Sequence, residues 1–166
     1  LPHLTPSAGP FRSPPHQVFS RPAMSAFAIP AKPVVAVVGA TGAVGAEFMD
    51  CLTNRKFPLS ELRLLASARS VGKKMTYGDR EIAVQELTEA SLKGVHIGLF
   101  SAGSGISKTF GPMAVKAGAV VVDNSSAFRM DPTVPLVIPE INADAIAKHK
   151  GIIANPNCSA IISITP

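Results

Sequence analysis

From residue 34 onward, short unbroken apolar runs alternate with stretches whose apolar positions recur every three to four residues, the pattern of successive βαβ units. Residues 34–38 (VVAVV) form a β-branched run suited to a strand buried on both faces. Val44, Phe48 and Cys51/Leu52 then recur at helical spacing, which predicts a helix over 43–54 with that stripe against the sheet. Further strands are predicted at 62–66, 95–100, 120–122 (with Ala119) and 152–154, and a helix at 106–117. Residues 74–77 and 81–84 flank Gly78-Asp79 and predict a small hairpin or edge insertion. A short helix is expected at 142–150, capped by Asn142, and a helix-like apolar run at 160–164. The expected fold class is α/β: a doubly wound, mostly parallel, Rossmann-like sheet of about five strands.

The first 33 residues break this pattern. They hold eight prolines and no acid, and the first carboxylate of the 166-residue chain is Glu47. Proline at that density denies helix and ladder hydrogen bonding, so 1–33 is expected to be a disordered leader with the composition of an organelle transit segment. The leader also carries Arg12, Arg21 and Lys32, so much of the net charge of +5 lies there, and the remainder holds 13 basic against 11 acidic side chains. With one tyrosine and no tryptophan, a nucleic-acid groove is not expected. No apolar run approaches the roughly 18 to 20 residues of a membrane-spanning helix, so no membrane partner is expected. Two cysteines make neither a disulfide scaffold nor a zinc cluster, and no metal site is expected. Cys51, on the helical stripe, reads as an inert core thiol.

Candidate chemistry begins at Gly39-Ala40-Thr41-Gly42-Ala43-Val44-Gly45, set between the first strand and the first helix. Gly39 permits the tight turn, Gly42 lets backbone approach a pyrophosphate, and Gly45 lets the helix lie close on the sheet. Free N–H groups at the helix start then face the anion. At the end of the second strand, where NAD binders place an acid for the ribose 2′-hydroxyl, Ser67-Ala68-Arg69-Ser70 offers hydroxyls and a guanidinium 27 residues beyond Gly42. Forked cationic donors suit a 2′-phosphate, so NADP is expected rather than NAD.

Cys158 follows Asn155-Pro156-Asn157 directly after a strand and heads a helix-like run, where a helix dipole favours the thiolate and the turn presents the sulfur at the C-terminal sheet edge. Local features leave a catalytic and a structural role both open. Asp123–Arg129 is a polar loop after the preceding strand, in which Arg129 has the donors to clamp a phosphate or carboxylate. Residues 101–105 (SAGSG) form a small-residue loop on the same edge, read either as a floor for the cofactor or as a simple turn.

Six blocks in order, VVGATGAVG at 37–45, ASARSVGK at 66–73, FSAG at 100–103, VVDNSSAFR at 121–129, PLVIPEIN at 135–142 and IIANPNCS at 152–159, resemble the aspartate-β-semialdehyde dehydrogenases. NPNC separates the chain from N-acetylglutamyl-phosphate reductases, which show an NPGC-like site, and from glyceraldehyde-3-phosphate dehydrogenases, with an SxxCTTN-like one. The resemblance implies an enzyme: NADPH-dependent reductive dephosphorylation of aspartyl-4-phosphate to aspartate semialdehyde through a cysteine thioacyl intermediate, toward lysine, threonine, methionine and isoleucine. It implies that Cys158 is the nucleophile, that Arg129 and Asn157 bind the substrate phosphate, and that Thr41, Gly42, Ala43 and Val44 hold the pyrophosphate, with Arg69 and Ser70 on the adenosine phosphate.

The family division then gives an NADP-binding domain at 34–157 and the nucleophile with the start of a substrate domain at 158–166. The family's glutamine, histidine and carboxylate-binding arginine, and its dimerising domain, come after the nucleophile, so this stretch alone is expected not to turn over, and the full-length protein to be a homodimer or homotetramer. Ala160 stands where the family commonly has threonine. An acid-free leader on such an enzyme points to the plastid, with cytoplasm or mitochondrion as alternatives. Competing readings are a non-catalytic NADP-binding module and a sibling acting on another acyl phosphate such as N-acetylglutamyl phosphate.

Overall fold

The computed structural model of the chain describes residues 27–164, with side chains through Ile161. The leader expected over 1–33 lies outside the described residues as far as 26. Of its described part, residues 28–32 are exposed, while the Phe27 ring lies 5.4 Å from that of His149, tilted by 34°.

The first strand, β1 (Val34–Val38), is buried almost throughout and sends alternate side chains to opposite faces. Val35 and Val37 join a cluster with Met49, Leu52, Leu62 and Leu64, whereas Ala36 and Val38 join one with Leu65, Phe100, Ala114 and Val121. Helix α1 (Ala43–Asn54) covers the first face. Then come β2 (Glu61–Ala66), β3 (Lys74–Tyr77), β4 (Arg80–Glu86) and β5 (Ile97–Phe100). Helix α2 (Ser104–Lys116) covers the second face and leads to β6 (Val120–Asp123). A short α3 (Pro139–Asn142), a 3-10 stretch (Ala143–Lys148), β7 (Ile152–Ala154) and α4 (Cys158–Ile164) complete the described chain.

Among the described residues the strands form one seven-stranded sheet in the order β3-β4-β2-β1-β5-β6-β7. Every neighbouring pair is parallel except β3 with β4. Leaving out β3, this is the 3-2-1-4-5-6 order of a doubly wound dinucleotide fold, and the order reverses between β1 and β5, where ligands bind. Because six strands run the same way, the segments leaving β1, β2, β4, β5, β6 and β7 all emerge on one rim. Backbone bonds continue across that rim: Leu87 N–H to Ala66 O at 2.8 Å, Gly39 N–H to Leu65 O at 2.9 Å, Ser101 N–H to Val38 O at 2.9 Å, Asn124 N–H to Phe100 O at 2.9 Å and Asn155 N–H to Asp123 O at 2.8 Å.

Four local expectations are extended or corrected. The hairpin expected around Gly78-Asp79 forms as β3 with β4 at the sheet edge, but its second arm is longer than expected and also pairs with β2, so it belongs to the main sheet. The α1 stripe is rotated: Gly45, Met49 and Leu52 are buried, while Val44 and Cys51 are exposed. Gly45 causes this, since a Cβ there would collide with the carbonyl oxygens of Gly39 and Ala40, so only this residue can face the sheet end. Positions four and seven further on follow it inward, and Val44 and Cys51, about 100° behind, turn outward. Cys51 is therefore no core thiol. Third, Asn142 caps nothing downstream; its Oδ1 accepts from Ile138 N–H at 2.8 Å and its Nδ2 donates to Leu136 O at 2.9 Å, folding back on the preceding segment. Finally, β5 begins at Ile97, not residue 95: at its entry the His96 N–H donates to Val34 O at 3.0 Å, while the returning Val34 N–H is taken by the His96 ring, whose Nδ1 accepts it at 3.0 Å.

Candidate functional site

The turn after β1 is built around Gly39, whose φ of +87° is left-handed and whose missing Cβ makes room for the Ser101 carbonyl. Its own carbonyl accepts Gly42 N–H at 3.0 Å, closing the elbow. Helix α1 starts at once with Gly42 as N-cap and no side-chain cap, so the first-turn N–H groups of Ala43, Val44 and Gly45 lack intrahelical partners. Gly42 differs from its neighbours: a Cβ there would meet only the Gly39 carbonyl oxygen, at 3.3 Å. Among the described residues only this one tight approach bears on glycine at 42, whereas an anion approaching the backbone would require it.

A cleft of about 420 Å³ opens beside this elbow at the switch point. Gly39, Thr41 and Gly42 line it from β1, Ser67 from β2 and Ser101 from β5. Leu87, Ile106 and Phe110 add apolar walls on which flat rings can lie. Helix α2, like α1, begins without a side-chain cap, after Gly103 at φ +88°. Free N–H donors, a glycine open to the cleft and apolar walls fit a dinucleotide. Ala43 and Val44 sit at the exposed first turn of α1, and Gly45 is buried beneath the cleft. Arg69 and Ser70 lie in the 3-10 turn (Ala68–Ser70) that follows Ser67 at the end of β2. Arg69 is exposed, and its guanidinium has no ion pair or hydrogen bond among the described residues.

Farther along the rim the β6 and β7 exits are joined. Asn155 Nδ2 donates to Asn124 Oδ1 at 2.8 Å. Arg129 reaches back over both: its Nε–H donates to Asn155 O at 2.9 Å and Nη2–H to Asn124 O at 3.0 Å. Three residues past Asn155, Cys158 begins α4 and is exposed. Asn157 acts as the N-cap: its Oδ1 accepts Ser159 N–H at 2.8 Å and its carbonyl accepts Ile161 N–H at 3.1 Å. The elbow and Cys158 thus share one rim, separated by the three strand spacings from β1 to β7, about 14 Å.

Leu87, Ile106 and Phe110 were not among the residues expected to form the site. Leu87 was hidden because β4 did not read as a main-sheet strand; Ile106 and Phe110 carried only the signal of a helix core stripe. Asn155, which bonds Asn124 through its side chain and Arg129 through its carbonyl, went unassigned because both partners come from the β6 exit, a tertiary contact with no local signal.

The fold and cleft define a Rossmann-type dinucleotide-binding domain with an exposed cysteine on the same rim. The chain belongs to the semialdehyde dehydrogenase family: the family model described as "Semialdehyde dehydrogenase, NAD binding domain" matches residues 34–149. It is similar to the aspartate-semialdehyde dehydrogenase of Bacillus subtilis, 54% identical over 127 residues, which cover 76% of this chain and 37% of the relative. The Synechocystis enzyme of the same name is 53% identical over 128 residues, 77% of this chain and 38% of that protein. Among solved structures, aspartate semialdehyde dehydrogenase II of Vibrio cholerae complexed with ASA superposes with a TM-score of 0.77 at 48% identity, over 80% of this chain and 44% of that one. The chain thus spans well under half the length of these relatives. Its membership agrees with the six-block resemblance, and its family indicates a nicotinamide cofactor.

Among the described residues no helix is long and apolar enough to cross a membrane, and no group of three or more His, Cys, Asp or Glu side chains is placed to hold a metal ion.

Proposed function

We propose that this chain supplies the NADP cleft, the phosphate-binding arginine and the nucleophile for reductive dephosphorylation of aspartyl-4-phosphate to aspartate semialdehyde. The observation that carries this is the shared rim: the glycine elbow, the Arg129 bridge and Cys158 all emerge where one parallel ladder ends. The Cys158 thiolate attacks the acyl carbon, and the carbon–oxygen bond to phosphate breaks, leaving a thioester and free phosphate. Bound NADPH supplies the hydride that reduces this thioester. The resulting thiohemiacetal then expels the Cys158 sulfur and releases the aldehyde. Arg129, with donors left over after its two carbonyl bonds, offsets charge on the departing phosphate, and Asn157 fixes the first turn that carries the sulfur. Arg69 and Ser70, beside an N–H-lined elbow and with no acid at the end of β2, support NADP over NAD.

By itself the chain is proposed to bind cofactor without turnover. The test has two parts. NADPH should bind the chain as given. In a chimera where residues 34–164 replace the matching segment of the Bacillus subtilis relative, aspartate semialdehyde should reduce NADP+ only with phosphate present, and Cys158→Ala should abolish this while leaving NADPH binding intact. Preference for N-acetylglutamate semialdehyde would establish the sibling reading instead; binding with no effect of Cys158→Ala would leave only a binding module. Plastid import is proposed from the acid-free leader, and a fluorescent fusion of residues 1–33 staying outside plastids would refute it.

A further inference from the structure

Asp123, the last residue of β6, is completely buried. Among the described residues it has no cation; its carboxylate is met by hydroxyl and amide donors instead. Ser107 Oγ–H, from α2, donates to Oδ1 at 2.7 Å. Ser125 donates twice, from Oγ to Oδ2 at 2.7 Å and from N–H to Oδ1 at 3.2 Å. Ser125 Oγ also accepts Ala127 N–H at 3.1 Å, so one hydroxyl ties the carboxylate to the loop on both sides of itself. Burying a carboxylate is costly unless its oxygens are saturated, and a saturated network holds a single geometry. What it holds here is the loop from Asn124 to Arg129, whose guanidinium uses Nε and Nη2 on backbone carbonyls and leaves Nη1 without a partner among the described residues.

We propose that Ser125, seated on the buried Asp123 carboxylate, is a positioning residue for Arg129, fixing the loop so that the remaining guanidinium donors face an oxyanion at the Cys158 turn. This rests on Arg129 being the phosphate-binding residue of the proposed function. Ser107 makes an equally short bond to the same carboxylate but lies on α2, outside the loop. It is therefore a matched control for the loss of a buried hydrogen bond.

The probe is inorganic phosphate, read as protection of Cys158 from iodoacetamide in the 166-residue chain, resolved by peptide mass spectrometry. Ser125→Ala should raise the half-protecting phosphate concentration about tenfold, the usual weight of a charge-assisted bond. Ser107→Ala should raise it less than about twofold while lowering the unfolding midpoint comparably, and NADPH affinity should be unchanged in Ser125→Ala. Ser125→Thr, which keeps the hydroxyl, should restore the phosphate response and keeps the test decisive should Ser125→Ala fold poorly. Equal shifts in the two alanine variants, or none in Ser125→Ala, would overturn the positioning role alone. Absence of phosphate protection in the unaltered chain would overturn the anion site and this proposal with it.

Discussion

Arg129 and Asn155 are joined by a 2.9 Å bond from Nε–H to a backbone carbonyl, which locks the β6 exit onto the turn leading to Cys158. Lysine at 129 cannot supply two divergent donors from one plane. Arg129→Lys should leave the Asn124 and Asn155 carbonyls underpaired and cost about 1–3 kcal/mol, read as a lower urea midpoint. It should also weaken phosphate protection of Cys158, whereas NADPH affinity, proposed to be set at the elbow three strands away, should stay within about twofold.

Gly45 and Gly42 should respond in opposite ways. Gly45→Ala drives a methyl into the Gly39 and Ala40 carbonyls, prises α1 from the sheet and should cost at least about 2 kcal/mol in chemical denaturation. Gly42→Ala fits at φ −83° with only one 3.3 Å neighbour, so stability should change by less than about 1 kcal/mol. Its methyl enters the cleft, and NADPH titration should show clearly weaker binding.

That contrast marks what was legible in the sequence. The strand VVAVV and the glycine elbow were plain, because a strand buried on both faces has to be apolar at every position and the elbow joins it directly to a helix. The rotation of α1 was not, since Val44, Phe48 and Cys51 keep a helical spacing as regular as that of Gly45, Met49 and Leu52. Only the close approach of Gly45 to two carbonyls distinguishes the faces, and that is a tertiary contact. Likewise β4, with Arg80, Glu81 and Glu86 exposed, carries the polar pattern of an edge although Val84 is buried beside Leu64. Along the rim, the polar and glycine loops were legible as loops that follow strands, while the apolar walls Leu87, Ile106 and Phe110 and the Asn155 link to the β6 exit were not, because each depends on which elements the fold brings together.

Arg69 should discriminate the cofactor. Arg69→Glu should weaken NADPH binding by more than about tenfold and NADH binding little, because only the former carries the 2′-phosphate. Being exposed and unpaired among the described residues, Arg69 should contribute within about 0.5 kcal/mol to stability. Equal losses for both nucleotides in fluorescence titration would refute the assignment.

The pH dependence of stability should carry a His149 component. Its Nδ1 accepts Gly151 N–H at 3.0 Å and its ring packs on Phe27, and burial holds its pKa below the ordinary 6.5. Between that lower native value and 6.5 the unfolded chain binds the proton and the native chain does not, so stability falls as pH drops through this window and is fully present above it. Glu61 and Asp131, held low chiefly by bonds from Arg63 and Thr133, act in the same direction only below their ordinary 4.5 and 3.8. Thermal midpoints of the unaltered chain and His149→Gln should therefore diverge between pH 5 and 7; parallel curves would contradict this.

The proposed placement of nucleophile and cofactor on one rim is tested most directly by the two exposed thiols of the chain. Cys51 lies near the far end of α1, about 12 Å along the helix from the elbow and toward the opposite sheet edge, whereas Cys158 stands on the rim that carries the elbow. Saturating NADP+ should slow iodoacetamide alkylation of Cys158 several-fold and leave Cys51 unchanged. Equal protection of both thiols, or none at Cys158 while NADP+ is demonstrably bound, would contradict a shared site.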